Sequence, residues 1–141
     1  MHAQAPGLNA WLAAAMAVAA LLVARPTVAQ EARPPAVVHS VTLTAEGSSA
    51  VLTLEMSEAV AYQIRAMSRP DRIVIDLPRV LFAASAARPG RRTGPVSAHR
   101  FGLFFADRSR VVLDLGEPAL AEAVGPREQN GRKLLAFRIA P

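Results

Sequence analysis

The chain of 141 residues carries a formal net charge of +5 and contains no cysteine. Its length allows one ordinary domain, and the missing cysteines exclude disulfides, thiolate zinc sites and cysteine nucleophiles. From Gln30 onward it has 15 Lys and Arg residues against 11 Asp and Glu residues, a net charge of +4, and Lys133 is the single lysine. Planar guanidinium groups suit carboxylate or phosphate partners, although a GC-rich codon usage accounts for the arginines equally well.

Residues 1–29 have the layout of a signal peptide. The stretch 8–24 is uncharged and rich in alanine, and Pro26 follows it. Small residues at the end of the leader fit a signal peptidase, so we predict cleavage between Ala29 and Gln30. An uncleaved anchor is the alternative, but a spanning helix needs about 20 strongly apolar residues and this run is shorter. We therefore expect an exported protein that is not stably inserted in a membrane after cleavage. Because it leaves the cytoplasm and has no RNP-like or helix-turn-helix pattern, we expect it to bind no nucleic acid.

The remainder predicts an all-β domain. Residues 30–36 are a Pro-rich tether, and from residue 37 to 141 short β-branched runs alternate with turn residues, which is typical of a sandwich or barrel. Residues 78–94 lack periodicity and predict a surface crossover between two sets of strands. We expect two similar four-stranded sheets forming a sandwich. The predicted strands cover residues 37–45, 50–56, 60–66, 72–77, 96–105, 110–115, 119–124 and 132–139.

An internal repeat relates the two sets of strands. An offset of 61 residues places residues 51–54 on 112–115 and residues 72–74 on 133–135. Self-similarity at a fixed spacing is the signature of a duplicated unit. The sequence therefore predicts two four-stranded halves.

A second echo relates RIVIDL at 72–77 to RVVLDL at 110–115, with an aspartate four residues after each arginine. As a general acid and base, Asp76 and Asp114 would have to converge in a cleft with separated pKa values. The alternative, which we favour, is that Arg and Asp side chains on one face make cross-strand contacts.

Residues for other catalysis are scarce. The body has two histidines, His39 and His99, and neither lies in a metal-binding motif. Ser97 and His99 alternate onto one face of a strand, but no nucleophile elbow or orienting acid accompanies them. We expect no catalytic residue, no metal and no cofactor.

The segment RFGLFF at residues 100–105 combines charge and aromatic side chains in one predicted strand. Alternate residues of a strand point to opposite faces. One predicted face, assigned to the core, is Phe101, Leu103 and Phe105. The other is Arg100, Gly102 and Phe104. A guanidinium, a bare glycine and an aromatic ring could form an open surface for a sugar or a carboxylate, unless the strand is buried on both sides and Phe104 is also core.

Three strings in this order, RIVIDLP at 72–78, HRFG at 99–102 and RVVLDL at 110–115, resemble the AMIN domain. That domain is the N-terminal targeting module of periplasmic N-acetylmuramoyl-L-alanine amidases and type IV pilus secretins. The resemblance covers residues 37–139 and implies a symmetric pair of four-stranded sheets that binds peptidoglycan. The amidase zinc ligands are not in this sequence, so the resemblance implies no activity. Leu103 departs from the pattern, because a polar residue is expected there.

The resemblance and the arginine positions together predict a peptidoglycan site at Arg72, Arg100, Phe104 and Arg110. These residues would contact carboxylates and sugars of the wall. The alternative is a protein-interaction adaptor that recruits a separately encoded cell-wall amidase or secretin through an exposed sheet edge, by strand addition.

Overall fold

Alternating apolar and polar residues build nine strands in the part of the chain that the structure describes. This computed structural model describes residues 33–86 and 91–141, and Arg33–Pro141 form one compact unit. The predicted signal peptide, with its cleavage site at Ala29 and Gln30, lies outside the described residues. The strands are β1 (Val37–Glu46), β2 (Ser49–Met56), β3 (Gln63–Met67), β4 (Arg72–Pro78), β5 (Leu81–Phe82), β6 (Val96–Phe105), β7 (Arg108–Leu115), β8 (Leu120–Gln129) and β9 (Arg132–Ala140).

Tight turns join the long hairpins, and the sequence supplies the residues that those turns require. Asn130 and Gly131 connect β8 to β9 with φ angles of 53° and 73°. Two consecutive positive φ angles are what a two-residue turn of type I′ needs, and Asn-Gly is its preferred sequence. Gly47, with φ 59°, begins the connection from β1 to β2.

The strands form two sheets. The first sheet has the order β5-β1-β2-β9-β8 and the second has the order β3-β4-β7-β6. All pairings are antiparallel except the short parallel pairing of β5 with β1. The predicted all-β fold of two similar sheets is confirmed, and β5 adds a fifth strand to the first sheet.

The hydrophobic core lies between the sheets. Alternate residues of β2, such as Leu52 and Leu54, point inward and are fully buried, as are Ile73 and Ile75 of β4 and Phe137 of β9. They belong to one cluster that draws residues from both sheets. Burial contributes roughly 1.5–3 kcal/mol for each such side chain, which fixes the strands' register because a shift of one residue would expose them all.

The two predicted halves exchange hairpins. The first half supplies β1-β2 to the first sheet and β3-β4 to the second, while the second half supplies β8-β9 and β6-β7. If β1 to β4 are matched with β6 to β9, the order β1-β2-β9-β8 becomes β6-β7-β4-β3, which is the second sheet. The duplication therefore appears as a pseudo-symmetric sandwich in which each sheet contains a hairpin of each half.

The offset of 61 residues is wrong for the last strand. It places Ile73 on Leu134, but Ile73 is fully buried and Leu134 is not. Burial matches when Ile73 is placed on Phe137 and Ile75 on Ile139, an offset of 64, which requires three additional residues before β9.

The segment predicted as a featureless crossover, residues 78–94, contains β5 and a 3-10 turn at Ala84–Ala86. Val80 and Ala86 are buried, and the backbone N–H groups of Leu81 and Ala83 donate to the carbonyls of Ala36 and Val38. These hydrogen bonds join backbone groups, so no periodic pattern of side chains in the sequence predicts them.

Two predicted strands have a boundary that differs by three residues or more from the observed one. The third strand begins at Gln63 rather than at residue 60, and the weak run at 119–124 is a longer strand, Leu120–Gln129. Within the described residues, no helix has the length and apolar character of a membrane span.

Candidate binding face on the second sheet

The four residues predicted to bind a ligand lie on the outward side of the second sheet. Arg72, Arg100, Phe104 and Arg110 come from β4, β6 and β7, and the register places them on one face because inward residues such as Ile73 and Val111 are buried. We call this surface the arginine face. It consists of Arg65, Arg72, Asp76, Arg100, Phe104, Arg110 and Asp114.

The central strands of this face pair their charges reciprocally. Arg72 lies opposite Asp114, and Asp76 lies opposite Arg110, with Val74 opposite Val112 between them. RIVIDL and RVVLDL are therefore similar because they form two antiparallel neighbours, in which the arginine of each strand faces the aspartate of the other. The cross-strand interpretation of these aspartates agrees with this geometry.

Asp76 accepts hydrogen bonds from two arginines on its two neighbouring strands. Arg110 donates from Nε to Oδ1 at 2.7 Å and from Nη2 to Oδ2 at 3.3 Å, and Arg65 donates from Nη2 to Oδ2 at 2.5 Å. Asp76 is only 6% exposed. The hydrogen bonds from Arg110 lower the pKa of Asp76, and they outweigh its burial, which alone would raise it.

Asp114 repeats this arrangement at the other end of the strand pair. Arg72 donates from Nε to Oδ1 at 2.6 Å, and Arg100 donates from Nη1 to Oδ2 at 2.5 Å. Partial burial would raise the pKa of Asp114, but the hydrogen bonds from Arg72 and Arg100 reverse that effect and lower it. Both aspartates are therefore ionised at neutral pH, and neither is a protonated general acid.

The arginine face has an excess of positive charge. Its four guanidinium groups meet two carboxylates, which leaves a net charge of +2 by subtraction. Arg65 and Arg100 are each 56% exposed, whereas Arg110 is 19% exposed. A guanidinium has five N–H donors, so Arg100 and Arg65 keep donors free for a ligand while Arg110 is largely committed to Asp76.

An aromatic ring borders the charges. The guanidinium carbon of Arg110 lies 3.6 Å from the ring centre of Phe104, a cation–π contact, and Phe104 is 45% exposed. Beside them is a shallow pocket of about 220 Å³ lined by residues 100–104 together with Arg110 and Val112. A planar ring, a bare backbone at Gly102 and free guanidinium donors thus meet in one depression.

The prediction that Leu103 and Phe105 belong to the core is wrong. They are 58% and 56% exposed, and only Phe101 of that set packs inward, with its ring 4.7 Å from that of Phe82. The register of β6 shifts between Leu103 and Phe105. A bulge there interrupts the alternation after Leu103. Leu103 pairs with the buried Ser109 and is nevertheless exposed, so the opposing sheet does not cover this end of β6.

Ser97 and His99 form no catalytic pair. The Ser97 hydroxyl donates to the backbone carbonyl of Asp114 at 3.0 Å, and Nδ1 of His99 is buried with no hydrogen-bond partner among the described residues. Burial lowers the pKa of His99. In the same described part of the chain, no group of three His, Asp or Glu residues is arranged to hold a metal ion.

Arg65 is the residue of this face that the sequence analysis missed. The four-residue connection at 68–71 places Met67 opposite Arg72, and this register brings Arg65 beside Asp76. The signal was available, because strand alternation puts Gln63, Arg65 and Met67 on one side once the hairpin loop is counted.

The structure is an all-β sandwich of two sheets, and the second sheet carries a charged outward face bordered by an aromatic ring. The match to known families is more specific, since the family model of the AMIN domain covers residues 40–134. The chain belongs to the AMIN domain family. AMIN domains are periplasmic, non-catalytic modules that target peptidoglycan and occur in amidases and secretins. No curated protein matches the chain.

Proposed function

We propose that this protein is a non-catalytic periplasmic module that binds peptidoglycan through the arginine face and localises at the cell envelope. The observation that carries the proposal is the convergence of Arg72, Arg100, Phe104 and Arg110 on one side of the second sheet. Peptidoglycan offers both chemistries that this side can recognise, namely carboxylates on its stem peptides and flat sugar faces on its glycan.

The role of each residue in binding follows from its exposure and its contacts. Arg100 keeps free donors above Asp114 and binds a stem-peptide carboxylate, since a guanidinium and a carboxylate match as a two-bond fork. Phe104 stacks on a sugar ring, and Arg110 holds Phe104 in place from beneath. Arg72, 36% exposed, adds a second positive charge beside Arg100, since both side chains donate to Asp114.

Sedimentation with purified sacculi tests the proposal. We expect the mature protein to pellet with the sacculi and Arg100→Ala to pellet less. Arg138→Ala is the matched control, because Arg138 is similarly exposed and paired, with Glu46, on the first sheet. A rise in salt concentration should weaken the pelleting of the wild type, because salt screens the attraction between solvent-exposed charges. Equal pelleting by both variants would reject the site.

The adaptor alternative makes a different prediction in the same assay. A protein that only recruits a separately encoded amidase or secretin would fail to pellet with bare sacculi. It would instead be retained by that enzyme or channel at salt concentrations that release arginine contacts.

Export is a separate part of the proposal. We expect processing between Ala29 and Gln30, so that the periplasmic form starts at Gln30. Mass spectrometry of the intact protein from a periplasmic fraction measures this directly, and a mass that includes residues 1–29 would favour the uncleaved anchor.

A further inference from the structure

In the part of the chain that the structure describes, no strand pairs with the outer edge of β6. In the second sheet β6 is the last strand, and among the described residues it pairs along its length with β7 alone. In an antiparallel pair, half of a strand's N–H and C=O groups point away from the partner. Between the register shifts at its two ends, β6 therefore offers a regular row of unpaired backbone groups from Ala98 to Leu103.

The other edge strands, β3, β5 and β8, have features that discourage pairing with a further strand. β5 has two residues and β3 has five, while β8 contains Pro126 and an irregularity between Ala123 and Pro126. Short edges, prolines and bulges are the usual devices against unwanted strand pairing. The stretch of β6 between its two register shifts, Ala98 to Leu103, is regularly paired with β7, lacks proline and has Arg100 as its one charged residue.

The side chains beside this edge are unusually apolar. Leu103, Phe104 and Phe105 follow one another and are all exposed. Adjacent exposed apolar residues at an unpaired backbone edge mark a contact surface. A strand laid along β6 would cover part of this surface while it completes the backbone hydrogen bonds.

The positive charge of the arginine face determines which side chains an added strand would carry. A side chain built on Gly102 would meet nothing within 4 Å, so the space above this residue is open. The shallow pocket of about 220 Å³ lies there, with Arg100 and Arg110 in its lining. A carboxylate on the outward side of an added strand would reach over Gly102 to the free donors of Arg100.

We infer that the β6 edge accepts an extended acidic segment of a partner protein as an additional strand. Its outward side chains are Asp or Glu and contact Arg100 across Gly102, and its alternate side chains are apolar. A second copy of this chain is a poor occupant, because pairing β6 with β6 would bring two faces of net charge +2 into one sheet. The inference does not depend on peptidoglycan binding.

Short synthetic peptides test the inference by fluorescence anisotropy with the mature protein. A peptide that alternates valine and aspartate is expected to bind. The same peptide with lysine in place of aspartate is expected to bind about tenfold more weakly or not at all, because a tenfold loss of affinity corresponds to the loss of one charge-assisted hydrogen bond. Equal binding of the two peptides would overturn the acidic preference.

Backbone methylation tests strand addition itself. In an extended strand, alternate N–H groups point to one side, so N-methylation of either the valine or the aspartate amides blocks one edge of the peptide. Loss of binding in one of these two series and not in the other supports addition to β6. The same affinity for both methylated peptides would overturn it.

Two pairs of measurements place the strand. Arg100→Glu should reverse the preference in favour of the lysine peptide, whereas Arg138→Glu, at a similarly exposed and ion-paired position on the first sheet, should keep it. Gly102→Ile fills open space, so it should fold and yet weaken the acidic peptide about tenfold. Sedimentation of the free protein should show a monomer, and a dimer held through β6 would contradict the inference.

Discussion

The outward sides of the two sheets share one topology and differ in charge. On the arginine face, each of two aspartates is shared by two arginines. On the outward side of the first sheet, each ion pair joins one arginine to one glutamate, as with Arg138 on Glu46 and Arg132 on Glu55, and the centre of the sheet is Thr42, Thr53 and Ala136. One side therefore carries an excess of positive charge, and the other is balanced.

This difference separates the scaffold from the site. The buried residues of β2 and β4 serve the same packing role in both sheets, so the core does not require an excess of arginine on either outward side. The excess of arginine on the second sheet must therefore have a cause other than core packing. The two faces also differ in how deeply their carboxylates are buried. Asp76 is nearly buried between two guanidinium groups, whereas Glu46 is exposed.

The largest expected effect is on stability, from Asp76→Ala. This change leaves the half-buried Arg110 and its neighbour Arg65 without their carboxylate. Removing one partner of a buried ion pair strands the other charge, so we expect a loss of about 3 kcal/mol in the free energy of unfolding. Urea denaturation measures it. A loss as small as that of Glu46→Ala would erase the energetic contrast between the two faces.

Low pH should also reduce the stability that the arginine face contributes, because it protonates the two aspartates. The pKa values of Asp76 and Asp114 are lowered from 3.8 in the folded state. Groups of this kind contribute stability above their unfolded pKa, and the contribution is lost as pH falls through the lower folded values. We expect unfolding free energy to fall below about pH 4, and to fall less steeply in Asp114→Asn. An unchanged acid slope in that variant would contradict the assignment.

A smaller pH effect is expected from His99 on the inner side of β6. Burial lowers the pKa of His99 from 6.5, so the unfolded chain binds a proton more readily than the folded one. Stability should therefore decrease as pH falls below 6.5, and His99→Phe should remove that part of the slope. Denaturation of both proteins between neutral and mildly acidic pH measures the difference, and identical slopes would show that His99 does not titrate on unfolding.

The smallest effect is expected at the balanced pair of the first sheet. Glu46 and Arg138 are both about half exposed, and an exposed ion pair contributes roughly 0–1 kcal/mol. Glu46→Ala should change the free energy of unfolding by about 0.5 kcal/mol or less. A change comparable to that of Asp76→Ala would mean that the first sheet also depends on its outward charges.

Local pattern was sufficient to predict all the described strands except β5, and the common face of Arg100 and Phe104. The alternation that buries Leu52 and Leu54 is visible in the sequence, and so is the common side of Arg100 and Phe104. Pairing over long sequence distances was not visible. That Asp76 faces Arg110 depends on the register between β4 and β7, which the core sets.

The errors have a similar origin. Alternation assigned Leu103 and Phe105 to the core, but it cannot show where a strand runs past the opposing sheet. Likewise, β5 is held by hydrogen bonds from Leu81 and Ala83 to β1 and its preceding residue, which no periodic pattern announces. The ends of elements and the short connections depend on tertiary contacts.

The most direct test of the central claim is an NMR titration of the isotopically labelled mature protein with a soluble disaccharide-peptide of peptidoglycan. If the arginine face is the binding surface, amide shifts should move at Arg72, Arg100 and Gly102 while Thr53 and Ala136 on the first sheet stay in place. Shifts centred on Thr53 and Ala136, with the arginine face unmoved, would contradict it.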